Sequence, residues 1–339
     1  MSEFPYLPYI LVGSLTRDFI IAPGGKPLND IQGGHLFYAA AGLYHWEKQI
    51  GLVSRIGTRY PSEWLEKLRQ LGMDTRGIKQ TNLPLDQRFF ISFSDHGEKS
   101  NQQPLAHYAE EGLDFPKELL GYSAPVFHDD SLTERSIQTI IARDIPSDYL
   151  DSRCIHFCPM DFLTHNLITQ HFLQHGQKII TMEAGDGYMV PSFYKYLPNL
   201  VHGITAFITS ESKIRRLFFE KRIDDLWQMA DEIAGWGIDL VVVMKENHEN
   251  LLLDKIHRQR VRLKAYSTKI INLVGISSAF CGGFIAGLNE TYDPALALVY
   301  GNVAASFVFE GNNPYYSMDV FPGLTEARIE SMKQYLVIE

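Results

Sequence analysis

Cysteine is scarce in this chain: Cys154, Cys158 and Cys281 are the only three among 339 residues. Three such thiols make neither a disulfide framework nor a zinc ligand set, and the "CIHFCP" run around the first two reads as a strand carrying small core residues. Long apolar runs are missing as well. No stretch approaches the ~20 residues needed to cross a bilayer. The opening "MSEFPYLPYILVG" has an early Glu3 and no long apolar core, so it does not read as a secretory leader. A cytoplasmic location is the expectation. Basic charge is not in excess either: 31 Lys and Arg stand against 40 Asp and Glu, a formal net charge of -9. That excludes a protein built chiefly to coat nucleic acid or acidic membrane. Internal repeats, low-complexity tracts and domain-sized linkers are also lacking, so a single domain over residues 1–339 is expected.

What is there has the ordinary composition of a globular protein with a sizeable core: 45% hydrophobic residues, 21% charged, 26 Gly and 16 Pro. "YILVGSL" (9–15) is a short apolar run that stops at Gly-Ser, the pattern of a buried strand. "HLFYAAAGLYHWEKQ" (35–49) is alanine-rich and helical, and "IGLVSRIG" (50–57) is a strand. "PSEWLEKLRQLG" (61–72) is a helix with proline at its start and glycine at its end. "SRCIHFCPM", "QKIITMEAG", "ITAFITS" and "DLVVVMK" are further strands set among helical stretches. "QRFFISFSDHGEKS" (87–100) and "NLLLDKIHRQRVRLKAYS" alternate and turn as hairpins. Such alternation of strand and helix implies a mainly parallel sheet covered on both faces. Ligands of such sheets sit beyond the carboxyl ends of the strands.

In their order and spacing these segments resemble the ribokinase-like (PfkB) family of sugar and nucleoside kinases, from about residue 8 to residue 310. "VGSLTRDFII" is similar to the family's opening strand, and "GGHLFYAAAGLYHW" to its diglycine turn and following helix. "VSRIGTRYPSEWLEKLRQLGMDTRGI" is close to the block the family writes as VGDDPFG…LxxLGVDTxGI. "SSAFCGGFIAGL" and "YGNVAASFVFEG" resemble the nucleotide-side helix pair. The resemblance implies a ribokinase-like three-layer α/β/α sandwich with a mainly parallel sheet and a small β lid, the lid formed by residues 18–33 and 87–108. Substrate would lie between lid and sheet, with ATP over the C-terminal half. The lid forms a dimer interface in many members. "QRFFISFS" is aromatic-rich, with little in one chain expected to cover it, so a homodimer through the lid or a protein partner is expected. A sugar or nucleoside is the expected small-molecule partner, with no membrane or nucleic acid.

The resemblance also assigns positions. On the substrate side it implies Asp18, Gly33 and Gly34, with Tyr38 standing where the family has a sugar-binding asparagine. The phosphate turn, D-T-x-G-A-G-D in the family, aligns with Asn272 to Ser278. Gly275 is kept, Ser277 replaces the second glycine, and Gly275, Ile276 and Ser277 would form the anion hole. The base position is Ser278, so no intact catalytic base is expected, because a hydroxyl accepts no proton near neutral pH without a base of its own. Read as residues alone, Ser277 and Ser278 simply cap a helix. The family's metal-supporting N-x-x-E aligns with Ser210 to Lys213, reversing the charge at its last position. Lys213 is then either an exposed helix residue or a cation beside a bound phosphate. Asn302 falls on the nucleotide-side helix, and Glu246 and Glu249 fall where glycines approach ATP, which two carboxylates would repel. Arg258, Arg260, Arg262 and Lys264 share one face of a strand, either solvated or facing an anion or partner.

The expected function is therefore that of a catalytically impaired member that binds a sugar- or nucleoside-like ligand or serves as a subunit of an assembly. The alternative is an active ATP-dependent kinase with a non-standard site, the only case requiring ATP and magnesium. No metal ligands are assigned. An enzyme of different chemistry on the same fold is a third class, since fold does not fix function.

Overall fold

The apolar runs become strands whose side chains alternate between two helical layers. The computed structural model describes all residues except 1–4, 23, 25, 95–98, 177, 269–270, 272 and 312. In chain order the strands are β1 (Tyr9–Val12), β2 (Thr16–Ile21), β3 (Pro27–Gly33), β4 (Ile50–Ile56), β5 (Asp74–Gln80), β6 (Arg88–Phe93) and β7 (Lys99–Ser100). They continue with β8 (Cys154–Phe157), β9 (Ile179–Glu183), β10 (Ala206–Ser210), β11 (Leu240–Met244), β12 (Glu249–Asp254), β13 (Gln259–Lys264) and β14 (Val337–Ile338). The helices are α1 (His35–Leu43), α2 (Ser62–Gln70), α3 (Pro104–Glu110), α4 (Phe162–Leu173), α5 (Leu197–Val201) and α6 (Glu211–Leu217). After them come α7 (Leu226–Gly235), α8 (Ile276–Thr291), α9 (Pro294–Glu310), α10 (Pro314–Met318) and α11 (Leu324–Lys333).

Among the described residues the large sheet has the order β14-β13-β12-β11-β10-β9-β8-β1-β4-β5. The run from β11 to β5 is parallel throughout, and β12, β13 and β14 extend one edge antiparallel. Strand residues are apolar on both faces because both are covered. Phe207, Val241 and Val243 point into the core under α4, α6 and α7, while Ala206, Ile208, Leu240 and Val242 point toward α8 and α9. The three free cysteines are buried on the latter side, Cys154 and Cys158 with α1 and Cys281 within α8.

The Gly-Gly step in "SSAFCGGFIAGL" serves helix packing. A Cβ at Gly282 would stand 2.0 Å from the Ala39 carbonyl oxygen of α1, and one at Gly283 would stand 2.6 Å from the Ala304 Cβ of α9. The two glycines thus let α8 lie against a helix on either side, which fixes where its first turn emerges.

Among the described residues a second, smaller sheet has the order β3-β2-β6-β7 and draws its strands mainly from the two segments expected to form a lid. Its aromatic strand is not left bare, contrary to the sequence expectation. Phe90 is fully buried with Phe19 and Ile21 against Tyr108 of α3 and Leu119, and Leu113, Phe115 and Tyr122 pack on the same cluster. The segment after β7 folds back over these strands, so the aromatic face expected to hold a dimer is covered within one chain. At the far edge, Arg260 pairs with Asp231 at 2.8 Å, and Arg262 pairs with Glu339. Arg258 lies in the turn before β13 with φ 57, not on the strand face.

Candidate active site

The first turn of α8 emerges at the carboxyl end of the sheet, next to the start of α1. Gly275 takes the N-cap position with φ 79, and no side chain caps the helix. A Cβ there would meet the Tyr38 ring at 2.0 Å, so both the backbone angle and the space require glycine. The backbone N–H groups of Ile276 and Ser277 sit in that first turn, where a helix has no internal acceptors and favours an anion. Tyr38, 1% exposed, packs under the turn with Val274, Ile276 and Ala279. It does not stand open to a ligand. Asn272 lies outside the described residues.

Ser278 is not a cap. It is fully buried in the first turn, and its Oγ lies 2.9 Å from His35 Nδ1 and 3.2 Å from Glu183 Oε2. Glu183 closes β9 and is 3% exposed. His35 opens α1 and is exposed. Neither was singled out from the sequence. Glu183 also accepts from the Cys281 thiol at 3.7 Å. Burial first, and then the Glu183 carboxylate, push that thiol far above its ordinary range, so it stays a protonated donor. His156 Nδ1 lies 2.8 Å from Thr181 Oγ1, and burial pushes the imidazole down to about 3, keeping it neutral. His156, Glu183 and Cys281 offer donor atoms within 4.8 Å of one another. The Glu183 oxygen is already shared by Ser278 and a protonated thiol, which makes this a hydrogen-bonded group.

Asp18 lies on β2, 1% exposed, and accepts hydrogen bonds from Thr16 Oγ1 and the Gly34 N–H. Burial raises its carboxyl to about 7. A Cβ at Gly33 would fall 1.8 Å from its Oδ2, and one at Gly34, at φ 97, would fall 2.4 Å from the Ser14 carbonyl oxygen. Gly33 therefore leaves the space the Asp18 carboxylate occupies, while Gly34 lets the backbone pass close to Ser14 and donates its N–H to Asp18. A cavity of about 150 Å3 is lined by Gly13, Ser14, Thr16, Arg55, Gln87 and Met160 among others, so that Thr16, the donor to Asp18, stands on its wall.

The nucleotide-side positions behave differently from one another. Ser210 caps α6 by accepting from the Lys213 N–H at 3.3 Å. Lys213 is no exposed helix residue. Its side chain, 15% exposed, reaches back to donate to the Ala184 carbonyl at 2.8 Å and pairs with Asp186 at 3.3 Å, just past Glu183. Asn302 is buried, with its amide taken up by Asn250 at 3.2 Å and the Leu298 carbonyl at 2.9 Å. It ties α9 to β12 and offers nothing to a nucleotide. Glu249 pairs with Lys245 at 2.6 Å, which neutralises one of the two carboxylates in that loop, and the left-handed residue there is His248. The described residues around the turn do not fit a protein-held magnesium ion, because a lysine occupies the supporting carboxylate's place and the nearest buried carboxylate already has its donors.

The parallel sheet with its antiparallel edge, the second, smaller sheet and the glycine-led start of α8 together define the ribokinase-like fold, and the chain has that fold. No family model matches it. It is similar to an E. coli protein provisionally described as ribokinase II, solved in the apo form. That match has TM-score 0.70 at 14% identity, covering 97% of this chain and 99% of the other. A nucleoside kinase of Burkholderia thailandensis in complex with inosine matches with TM-score 0.66 at 14% identity, covering 96% and 99%. In sequence, a cytidine kinase of Thermococcus kodakarensis is 22% identical over 296 residues, 84% of this chain and 89% of that protein.

Proposed function

We propose that this protein is an active ATP-dependent kinase acting on a hydroxyl of a nucleoside, with a rearranged active site. The observation that carries this reading is the unbroken run Gly33-Gly34-His35. Gly33 and Gly34 seat the Asp18 carboxylate, and the next residue joins Ser278 in the first turn of α8 at 2.9 Å. Three consecutive residues thus link a buried acceptor suited to substrate hydroxyls with a helix start suited to a transferring phosphoryl group. The impaired reading rested on a missing carboxylate, but Glu183 brings one to within 3.2 Å of Ser278. It rested also on two uncompensated acids in the nucleotide loop, of which Lys245 neutralises Glu249. Lys213 reaches the chain just past Glu183, where its charge is already paired with Asp186. The described residues around the turn do not fit a magnesium ion, so the reading assigns no protein ligand to one.

The cytidine kinase relative and the inosine-bound neighbour favour nucleosides over free sugars as the first substrates to try. The test is ADP release with ATP and magnesium against cytidine, other nucleosides and ribose. Nucleoside-dependent turnover supports the reading. No turnover with any substrate, together with no calorimetric ATP binding, restores the impaired-protein reading.

A further inference from the structure

We infer that His35 is the general base that takes the proton from the attacking hydroxyl, held in its working tautomer by Ser278 and Glu183. The inference rests on the kinase reading above and assigns the base which that reading requires. Ser278 has one hydroxyl hydrogen and two polar neighbours, His35 Nδ1 at 2.9 Å and Glu183 Oε2 at 3.2 Å. A carboxylate oxygen only accepts, so the hydrogen goes to Glu183. His35 Nδ1 must then carry its own hydrogen and donate to Ser278 Oγ, which leaves Nε2 with a lone pair. The buried end of this chain is a carboxylate and its other end is an exposed imidazole. The pattern is that of a base oriented by a buried acid, with a serine hydroxyl spliced between them.

The charged and titratable groups facing His35 are Glu183, Asp186 and Lys213, with His156 behind them in β8. In the reaction the substrate oxygen bonds to the γ-phosphorus of the nucleoside triphosphate. The bond from that phosphorus to the β,γ-bridging oxygen breaks, and its electron pair leaves on the nucleoside diphosphate. The hydroxyl proton passes to His35 Nε2, and the resulting positive charge is held through Ser278 against Glu183. The exposed ring then returns the proton to solvent. His35 is the catalytic residue, and Ser278 and Glu183 are positioning residues.

Two measurements on the full chain test this. Nitrogen-15 spectra of the histidine side chains, with His35 assigned by its loss in His35→Asn, are expected to show Nδ1 protonated and Nε2 bare. Glu183→Gln, whose amide donates to Ser278, is expected to turn the chain round and move the proton to Nε2. A wild-type His35 protonated at Nε2 overturns the inference whether or not the protein turns over. In the kinase assay His35→Asn is expected to lower kcat by roughly 10²–10⁴-fold with KM little changed, and to abolish the acidic limb of the pH–rate profile. An active wild type whose rate and profile survive His35→Asn overturns the inference and leaves the kinase reading standing. A wild type inactive on every substrate overturns the kinase reading, and the catalytic role of His35 with it.

Discussion

Restoring the family's carboxylate by Ser278→Asp is expected to weaken the protein and not to speed it. Position 278 lies in the first turn of α8, where the helix dipole favours a negative charge by about 0.3–1 kcal/mol, or ~2 when partly buried. The site is already next to one, however: Ser278 is fully buried and its Oγ is 3.2 Å from Glu183 Oε2. Two carboxylates ~4 Å apart repel by about 4 kcal/mol at an effective dielectric constant of ~20. The net cost is therefore about 2–4 kcal/mol at pH 8. The pair escapes it by binding one proton, which raises a folded-state pKa above its unfolded value. Stability from such a group is present at low pH and lost as pH rises, so the deficit is expected to shrink toward pH 5. Urea unfolding of wild type and variant at pH 5 and pH 8 measures it. The same change removes the hydroxyl that orients His35, so turnover is not expected to rise. A variant as stable as wild type at pH 8, or one with faster turnover, refutes this account of the site.

Asp18, raised to about 7 by burial, is expected to make wild-type stability fall as pH rises from about 4 through 7; Asp18→Asn removes that slope, as urea midpoints at pH 5 and pH 8 will show. Gly275→Ala combines φ 79 with a 2.0 Å clash on Tyr38 and is expected to cost about 1–3 kcal/mol in thermal or urea unfolding. Gly235→Ala at the end of α7, where a new Cβ meets nothing within 4 Å, is expected to be neutral or stabilising by about 0.4–1 kcal/mol in the same assay.

The sheet and its helices were legible because period and punctuation reported them locally. "DLVVVMK" became β11, "PSEWLEKLRQLG" became α2, and the second sheet draws on residues 18–33 and 87–108. What could not be read was what distant segments bring to each other. Glu183 ends a strand 95 residues before Ser278, and only the convergence of parallel strand ends with the start of α8 joins them. "MEAG" carries no local mark of that role, although a carboxylate at the carboxyl end of a buried strand was a signal worth following. The cover over the lid failed for a related reason: Tyr108, Leu113 and Leu119 belong to a segment with little helical or strand periodicity, so nothing announced that it packs on Phe90. Asn302 looked polar and available on a helix, yet Asn250 from a neighbouring strand consumes it.

The measurement that tests the central claim most directly is cytidine- and nucleoside-dependent ADP release by wild type and His35→Asn, side by side across pH 5 to 9. The account predicts nucleoside-dependent turnover in wild type, with an acidic limb that disappears along with roughly 10²–10⁴-fold of the rate in the variant. Equal rates and equal pH profiles for the two proteins, or no turnover in wild type, would contradict it.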